Sequence, residues 1–267
     1  MTLLQWIKDR AIHGLPTFSV EDVRKTGMFS SEQIMKNTLL YLCSNKTIAN
    51  VYRGFYVIYP VQYVLRGSIP ATYYIDQLMA YLGRAYYVSM LSAAELLGAA
   101  HQRPQEFSVM TVYPKSRAVS SKNIKLDWYY RNAMPEACIF TRNTETGTIR
   151  ISNPTLTVAD LVQYQQYVGG LSRVATVMEE LAEQMDIERD FPLLVPYVKA
   201  HVWQRIGYIL ENVLEDNARA DILYNKVKTL PGRLQYTPLS NSADVNASEM
   251  NKRWKIKINV QIETDDI

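Results

Sequence analysis

Apolar residues recur at helical spacing in the first dozen positions, at Leu3, Leu4, Ile7, Ala11 and Ile12, and Gly14 with Pro16 ends that run. Ser19-Val-Glu-Asp22 approximates a capping box, with Asp in place of the usual Glu, and opens a short second helix that Gly27 stops. A third helix is predicted from Ser30 or Ser31 to about Cys43, where Asn45-Lys46 breaks the pattern. Two β-prone runs follow, Ile48 to Tyr52 and Phe55 to Tyr59, joined by Arg53-Gly54. Two such runs around a pair containing Gly predict a hairpin.

Three helices followed by a hairpin is the order of a winged helix-turn-helix, assigned to residues 1–62, with Arg53-Gly54 as the wing tip. At about 100° per residue, and with Gln33 at the origin, Ile34, Met35, Thr38, Leu39, Tyr41 and Leu42 fall on one broad arc of the third helix. That arc is expected to be core. Lys36, Asn37 and Leu40 lie near Gln33 on the other side. Gln33, Lys36 and Asn37 are side chains that read base edges or hold phosphates. Ser30 and Ser31 sit at the helix start, where a free N–H and a hydroxyl suit phosphate. Glu32, and the lack of Arg on this helix, argue against very tight phosphate binding.

Residues 63–267 read as a larger mixed α/β domain with a helical, bundle-like region. Pro60 to Pro70 reads as a connector. Helix is expected over 71–82, strand over 86–90 and helix over 92–97 closed by Gly98. Strands are expected over 105–113 and on both sides of Asn143–Gly147. Thr157-Val-Ala-Asp160 reads as a capping box opening a helix. Ser172 opens a helix striped by Val174, Val177, Met178, Leu181 and Met185, and Pro192 or Pro196 opens the next. Residues 218–228 read as a last helix, 232–248 as an exposed loop and 254–262 as a strand. The fold class is therefore α+β.

Charge sharpens this division. The net charge is +3. Residues 1–60 hold seven basic and four acidic side chains, and the remainder balances. Between 173 and 221 there are ten acidic and five basic groups, a poor surface for nucleic acid. Residues 101–131 hold six basic groups against Glu106 and Asp127, a second possible polyanion contact, although a solvated surface explains them as well. No run of 18 apolar residues occurs, so no transmembrane helix is expected. The N-terminus carries its charges after its apolar residues, the reverse of a secretory signal. Cys43 and Cys138 form no metal spacing, which suits reduced thiols and a cytoplasmic location. No P-loop, G-x-G-x-x-G, G-x-S-x-G or H-E-x-x-H motif is present, and His13, His101 and His201 have no partner at ligand spacing. No cofactor, metal or catalytic group is assigned, and the chain is not expected to be an enzyme.

Four collinear stretches carry a family resemblance. They are Thr17-Phe-Ser-Val-Glu-Asp-Val with Val51-Tyr-Arg-Gly-Phe-Tyr-Val57; Tyr86-Tyr-Val-Ser-Met-Leu-Ser-Ala-Ala-Glu-Leu-Leu-Gly98 with Gln102 and Pro104; Ile149-Arg-Ile-Ser-Asn-Pro-Thr-Leu-Thr-Val-Ala-Asp-Leu161 leading to Gly169-Gly170; and Gln204-Arg-Ile-Gly-Tyr-Ile-Leu-Glu211 with a late Arg253-Trp254 strand. In order and spacing the chain resembles the AbiEi-type antitoxins, transcriptional regulators of type IV abortive-infection toxin–antitoxin systems in phage defence. The resemblance implies a winged helix that binds double-stranded operator DNA and represses its own operon. It also implies a C-terminal domain that counteracts a co-encoded nucleotidyltransferase-like toxin, with no direct contact required. On that resemblance the DNA-binding role falls on Ser31, Gln33, Lys36 and Asn37 of the third helix and Arg53 of the wing. Ser92, Glu95, Arg205 and Tyr208 belong to the C-terminal motifs without an assigned role. Two other readings remain open: a protein-interaction module on a winged-helix scaffold, and a nucleic-acid-modifying enzyme with a targeting domain.

Overall fold

A computed structural model describes residues 1–65, 67–99, 105–115, 126–244 and 249–263. His101, Gln102 and Pro104 lie outside the described residues, as do Arg103, Arg117, Lys122 and Lys125 of the basic stretch. The chain divides into two compact units. The first takes Met1–Tyr87, Gln105–Asn132 and Thr141–Arg150, and the second takes Val88–Pro104, Ala133–Phe140 and Ile151–Ile267.

The first unit begins with α1 (Leu3–Ile12), closed at its start by a capping box between Thr2 and Gln5. A three-residue strand, β1 (Thr17–Ser19), precedes α2 (Val20–Lys25). Three residues are too few to show alternation, so the sequence pattern did not reveal β1. The Ser19 box is present: the Ser19 hydroxyl accepts from Asp22 N–H at 3.1 Å, and Asp22 accepts from Ser19 N–H at 2.8 Å. Next come α3 (Glu32–Ser44), β2 (Ile48–Tyr52) and β3 (Phe55–Ile58). These strands form a sheet in the order β1-β3-β2, and β3 pairs antiparallel with both neighbours.

One apolar core ties these elements together. It joins Leu3 and Ile7 of α1, Phe18 of β1, Val23 of α2, Met35, Leu39 and Leu42 of α3, and Ile48 and Ile58 of the sheet. Each such side chain contributes about 1.5–3 kcal/mol on burial. Phe18 stacks on Tyr56 and meets Trp6 edge-on, both at 5.4 Å between ring centres.

The expected connector holds a short helix, α4 (Val61–Val64), and α5 (Ile75–Tyr81) follows a 3-10 turn at Ala71–Tyr73. The chain then contributes β4 (Tyr86–Val88), α6 (Met90–Leu97), β5 (Phe107–Val112), β6 (Leu126–Arg131), β7 (Ile139–Thr144) and β8 (Gly147–Ser152). The five strands lie in the order β6-β5-β4-β8-β7. The β5–β6 and β4–β8 pairs are parallel.

The second unit is mainly helical: α6, then α7 (Pro154–Gln163), α8 (Leu171–Ala182), α9 (Ile187–Leu194), α10 (Ala200–Asn212) and α11 (Asn217–Val227). Short strands β9 (Thr237–Pro238), β10 (Glu249–Asn251) and β11 (Ile256–Ile258) form a sheet in the order β10-β11-β9. α7 packs against α6, α8, α9 and α10, and every residue from Thr155 to Val162 is buried.

Four expectations fail here. Thr157–Asp160 does not open a helix: Asn153 caps α7, accepting from Leu156 N–H at 2.9 Å, with Pro154 in the first turn. Thr157 instead lies a turn inside and donates to Asn153 C=O at 2.8 Å. Pro192 lies inside α9 and Pro196 precedes α10, so neither opens the following helix. Trp254 is buried but lies in a turn, and the strand after it begins at Ile256. The expected exposed loop at 232–248 also contains β9 and the buried Leu239 and Ser240.

Candidate nucleic-acid interface

Ser31 caps α3, accepting from Ile34 N–H at 3.3 Å and leaving its hydroxyl proton to donate elsewhere. Glu32, the first residue, is bidentate with Arg24 of α2, at 2.7 and 2.9 Å, and Arg24 also meets Glu21 at 2.9 Å. The Arg24 hydrogen bonds hold the Glu32 carboxyl below its ordinary pKa. Arg24 is shared between Glu32 and Glu21, so this cluster keeps one net negative charge at the start of α3.

Only Met35, Leu39 and Leu42 of α3 are buried. They cover an arc of about 60°, far narrower than the arc drawn from the sequence. Ile34 and Tyr41, expected in the core, are 50% and 64% exposed, and Leu40 is 67% exposed. The core of this small unit takes a single i, i+4, i+7 row from α3, and the flanking apolar residues are left in solvent. Ser31, Gln33, Lys36 and Asn37 are exposed on the same helix. Gln33 Nε2 donates to Asn37 Oδ1 at 2.9 Å, so the two amides act as a pair.

Arg53 comes from a different element, the turn between β2 and β3, and is exposed. Gly54 beside it has φ +75°. A Cβ there would fall 3.1 Å from the Tyr81 hydroxyl. The turn is held at three points, one of them Arg53 C=O, which accepts from the Tyr81 hydroxyl at 3.4 Å. Gly54 C=O accepts from Val20 N–H at 2.8 Å, and Phe55 packs on Tyr81 with ring centres 5.1 Å apart.

In the second unit, polar groups of α10 turn inward. Arg205 is 1% exposed, yet its guanidinium meets neutral acceptors: Pro238 C=O at 2.9 and 3.1 Å and Asn241 Oδ1 at 2.6 Å. Burial pushes its pKa down. Gln204 donates to Trp254 C=O at 2.8 Å and Gln235 C=O at 3.0 Å. A Cβ on Gly207 would fall 2.1 Å from the Trp254 ring, and Glu211 accepts from Trp254 Nε1 and Arg253. The Gln204–Glu211 motif and Arg253-Trp254, far apart in sequence, thus form one packing unit. Asn153 similarly bridges to Asp190 at 2.9 Å, and Arg189 Nε donates to Asp190 at 2.7 Å. These contacts give Arg205 and the motif residues around it a positioning role within the fold.

A cleft of about 340 Å³ at the start of α10 is lined by His201, Gln204, Arg233 and Tyr236. Burial, then Arg205 and Lys199, lower the His201 pKa. Among the described residues no three His, Cys, Asp or Glu side chains come together as a metal set. Cys43 and Cys138 are free thiols. No helix among the described residues is long and apolar enough to cross a membrane.

Residues 87–212 match the model of the AbiEi antitoxin C-terminal domain. That match bears out the resemblance read from the motifs that lie between 87 and 212. Over 94% of its length the chain also superposes on 90% of the crystal structure of the RV2827C protein from Mycobacterium tuberculosis, with a TM-score of 0.63 and 14% identity. At that identity the likeness shows a shared fold. No match was found among curated proteins.

Proposed function

We propose that this protein is the DNA-binding antitoxin of a toxin–antitoxin pair. In this reading residues 1–62 act as a winged helix-turn-helix on double-stranded operator DNA and repress the protein's own operon. Residues 63–267 counteract a co-encoded nucleotidyltransferase-like toxin, without any catalysis of their own. The observation that carries the DNA assignment is α3. Gln33, Lys36 and Asn37 stand in solvent while Met35, Leu39 and Leu42 anchor the helix from behind. Second-helix capping, the Arg24–Glu32 bridge and the held Arg53-Gly54 turn fix the parts that would meet the duplex. The AbiEi antitoxin domain supports the antitoxin half of the assignment.

The test is a gel-shift titration against the DNA preceding the gene, with an unrelated duplex as control, at low and moderate salt. Selective retention that weakens steeply with salt is expected, because each neutralised phosphate releases a counterion. The exposed Ile34, Leu40 and Tyr41 favour a second reading, in which the same face docks a protein. Equal retention of both duplexes, or none, together with co-purification of a protein partner, would favour that alternative.

A further inference from the structure

The exposed face of α3 is wider than the sequence pattern drew it, taking in Ile34 and Tyr41, and its composition suits one kind of base pair. Exposed side chains run around it from Lys36 through Leu40, Gln33 and Asn37 to Tyr41 and Ile34. Gln33, Ile34 and Asn37 lie in its first two turns, the part of a recognition helix that meets base edges. The Gln33–Asn37 hydrogen bond uses one amide N–H and one amide oxygen. Whichever way round the two amides sit, one amide oxygen and more than one N–H stay free, so the pair can offer a donor and an acceptor side by side. Adenine offers the complement in the major groove, the N7 acceptor and the N6 donor. Guanine offers two acceptors there, N7 and O6, and no donor for the free amide oxygen. Ile34 stands beside this pair with half its surface open and no polar atom on its side chain. The one apolar group on a major-groove base edge is the thymine methyl.

We propose that α3 selects A·T base pairs, the Gln33–Asn37 amides reading adenine and Ile34 covering a thymine methyl group. This rests on α3 being the DNA-reading helix. Lys36 supplies phosphate contact and carries no base preference.

The experiment is a position-by-position replacement of thymine by uracil in the duplex preceding the gene. Uracil keeps the pairing and removes only the methyl. Wild-type protein is expected to lose about three- to tenfold in affinity at one or two positions. The Ile34→Ala variant should bind the thymine and uracil duplexes alike, whereas Ile34→Val should keep the preference. Because Ile34 is a surface residue, both variants should melt with the wild type. If wild-type protein retains the duplex selectively yet ignores uracil everywhere, the A·T proposal is wrong and the DNA assignment stands. The A·T proposal is equally wrong if Ile34→Ala is as sensitive to uracil as the wild type. If wild-type protein shows no selective retention, the DNA assignment falls and takes this proposal with it.

Discussion

Two helices of equal length, α3 and α10, each thirteen residues, show opposite uses of polar side chains. In α10 every residue from Val202 to Leu210 is buried, including Gln204 and Arg205. Their hydrogen bonds go to Trp254, Gln235, Pro238 and Asn241 of the same unit. In α3 only three residues are buried, and the amides of Gln33 and Asn37 bond each other. A polar group satisfied inside its own chain holds the chain together. One left at the surface is available to a partner. Mutations should therefore separate the helices: changes in α10 should register as stability, and changes on the face of α3 as binding.

The largest effect is expected at Gly207. An alanine Cβ would overlap the Trp254 ring, and the ring is locked by Glu211 and edge-on to Tyr224 at 5.3 Å. Relief requires moving the helix or the indole, so Gly207→Ala should cost about 3 kcal/mol or more, read as a fall in thermal midpoint. A change within experimental error would mean that Trp254 is loosely held. Arg205→Ala should cost less, about 2–3 kcal/mol, by leaving Pro238 C=O and Asn241 without their donors. Among the described residues no carboxylate hydrogen-bonds it, so Arg205→Met, which keeps much of the stem volume, should be milder than Arg205→Ala.

The contrast between the helices also explains what the sequence made legible. Periodicity located α1, α3 and α11 within a residue or two, because each has a strong stripe or a clear stop, and it found the start of α8 but carried its stripe to Met185, past the helix end at Ala182. It misjudged how much of each stripe the core would use. Ile34 and Tyr41 are at the margin of the α3 arc, and a small unit closes over Met35, Leu39 and Leu42 alone. It also misread α7, where Thr157 and Asp160 imitate a capping box inside a helix packed on all sides. The better signal was one turn earlier, at Asn153-Pro154. Gly207 and Trp254 could not be joined from sequence, since nothing local marks a contact between residues so far apart.

A smaller effect is expected at the start of α2. Burial pushes the Asp22 carboxyl up, but hydrogen bonds from Ser19 N–H and Oγ–H, with Arg10 and Lys25 nearby, bring it below its ordinary value. Its contribution to stability is therefore present above the unfolded-state pKa of about 3.9 and fades as pH falls through the lower folded value. Ser19→Ala should cost about 1 kcal/mol. Asp22→Asn should cost about 0.5 kcal/mol at neutral pH, and its difference from wild type should shrink as pH falls below the unfolded-state pKa of about 3.9. A difference that grows on acidification would show that Asp22 is stabilised in the unfolded chain instead.

The smallest effect on stability, and the sharpest separation between the helices, is expected for Lys36→Ala combined with Arg53→Ala. Both side chains are exposed, so the double variant should unfold within about 0.5 kcal/mol of wild type. If α3 and the β2–β3 turn each hold a phosphate, the slope of log affinity against log salt should fall by about two, with little change in preference between duplexes. That pattern differs from the one expected of Ile34→Ala, which should alter preference while leaving the salt slope unchanged. A double variant with an unchanged slope would remove Lys36 and Arg53 from the interface even if the protein still binds DNA. The reading face would then have to be sought among Gln33, Ile34, Asn37 and Tyr41 alone.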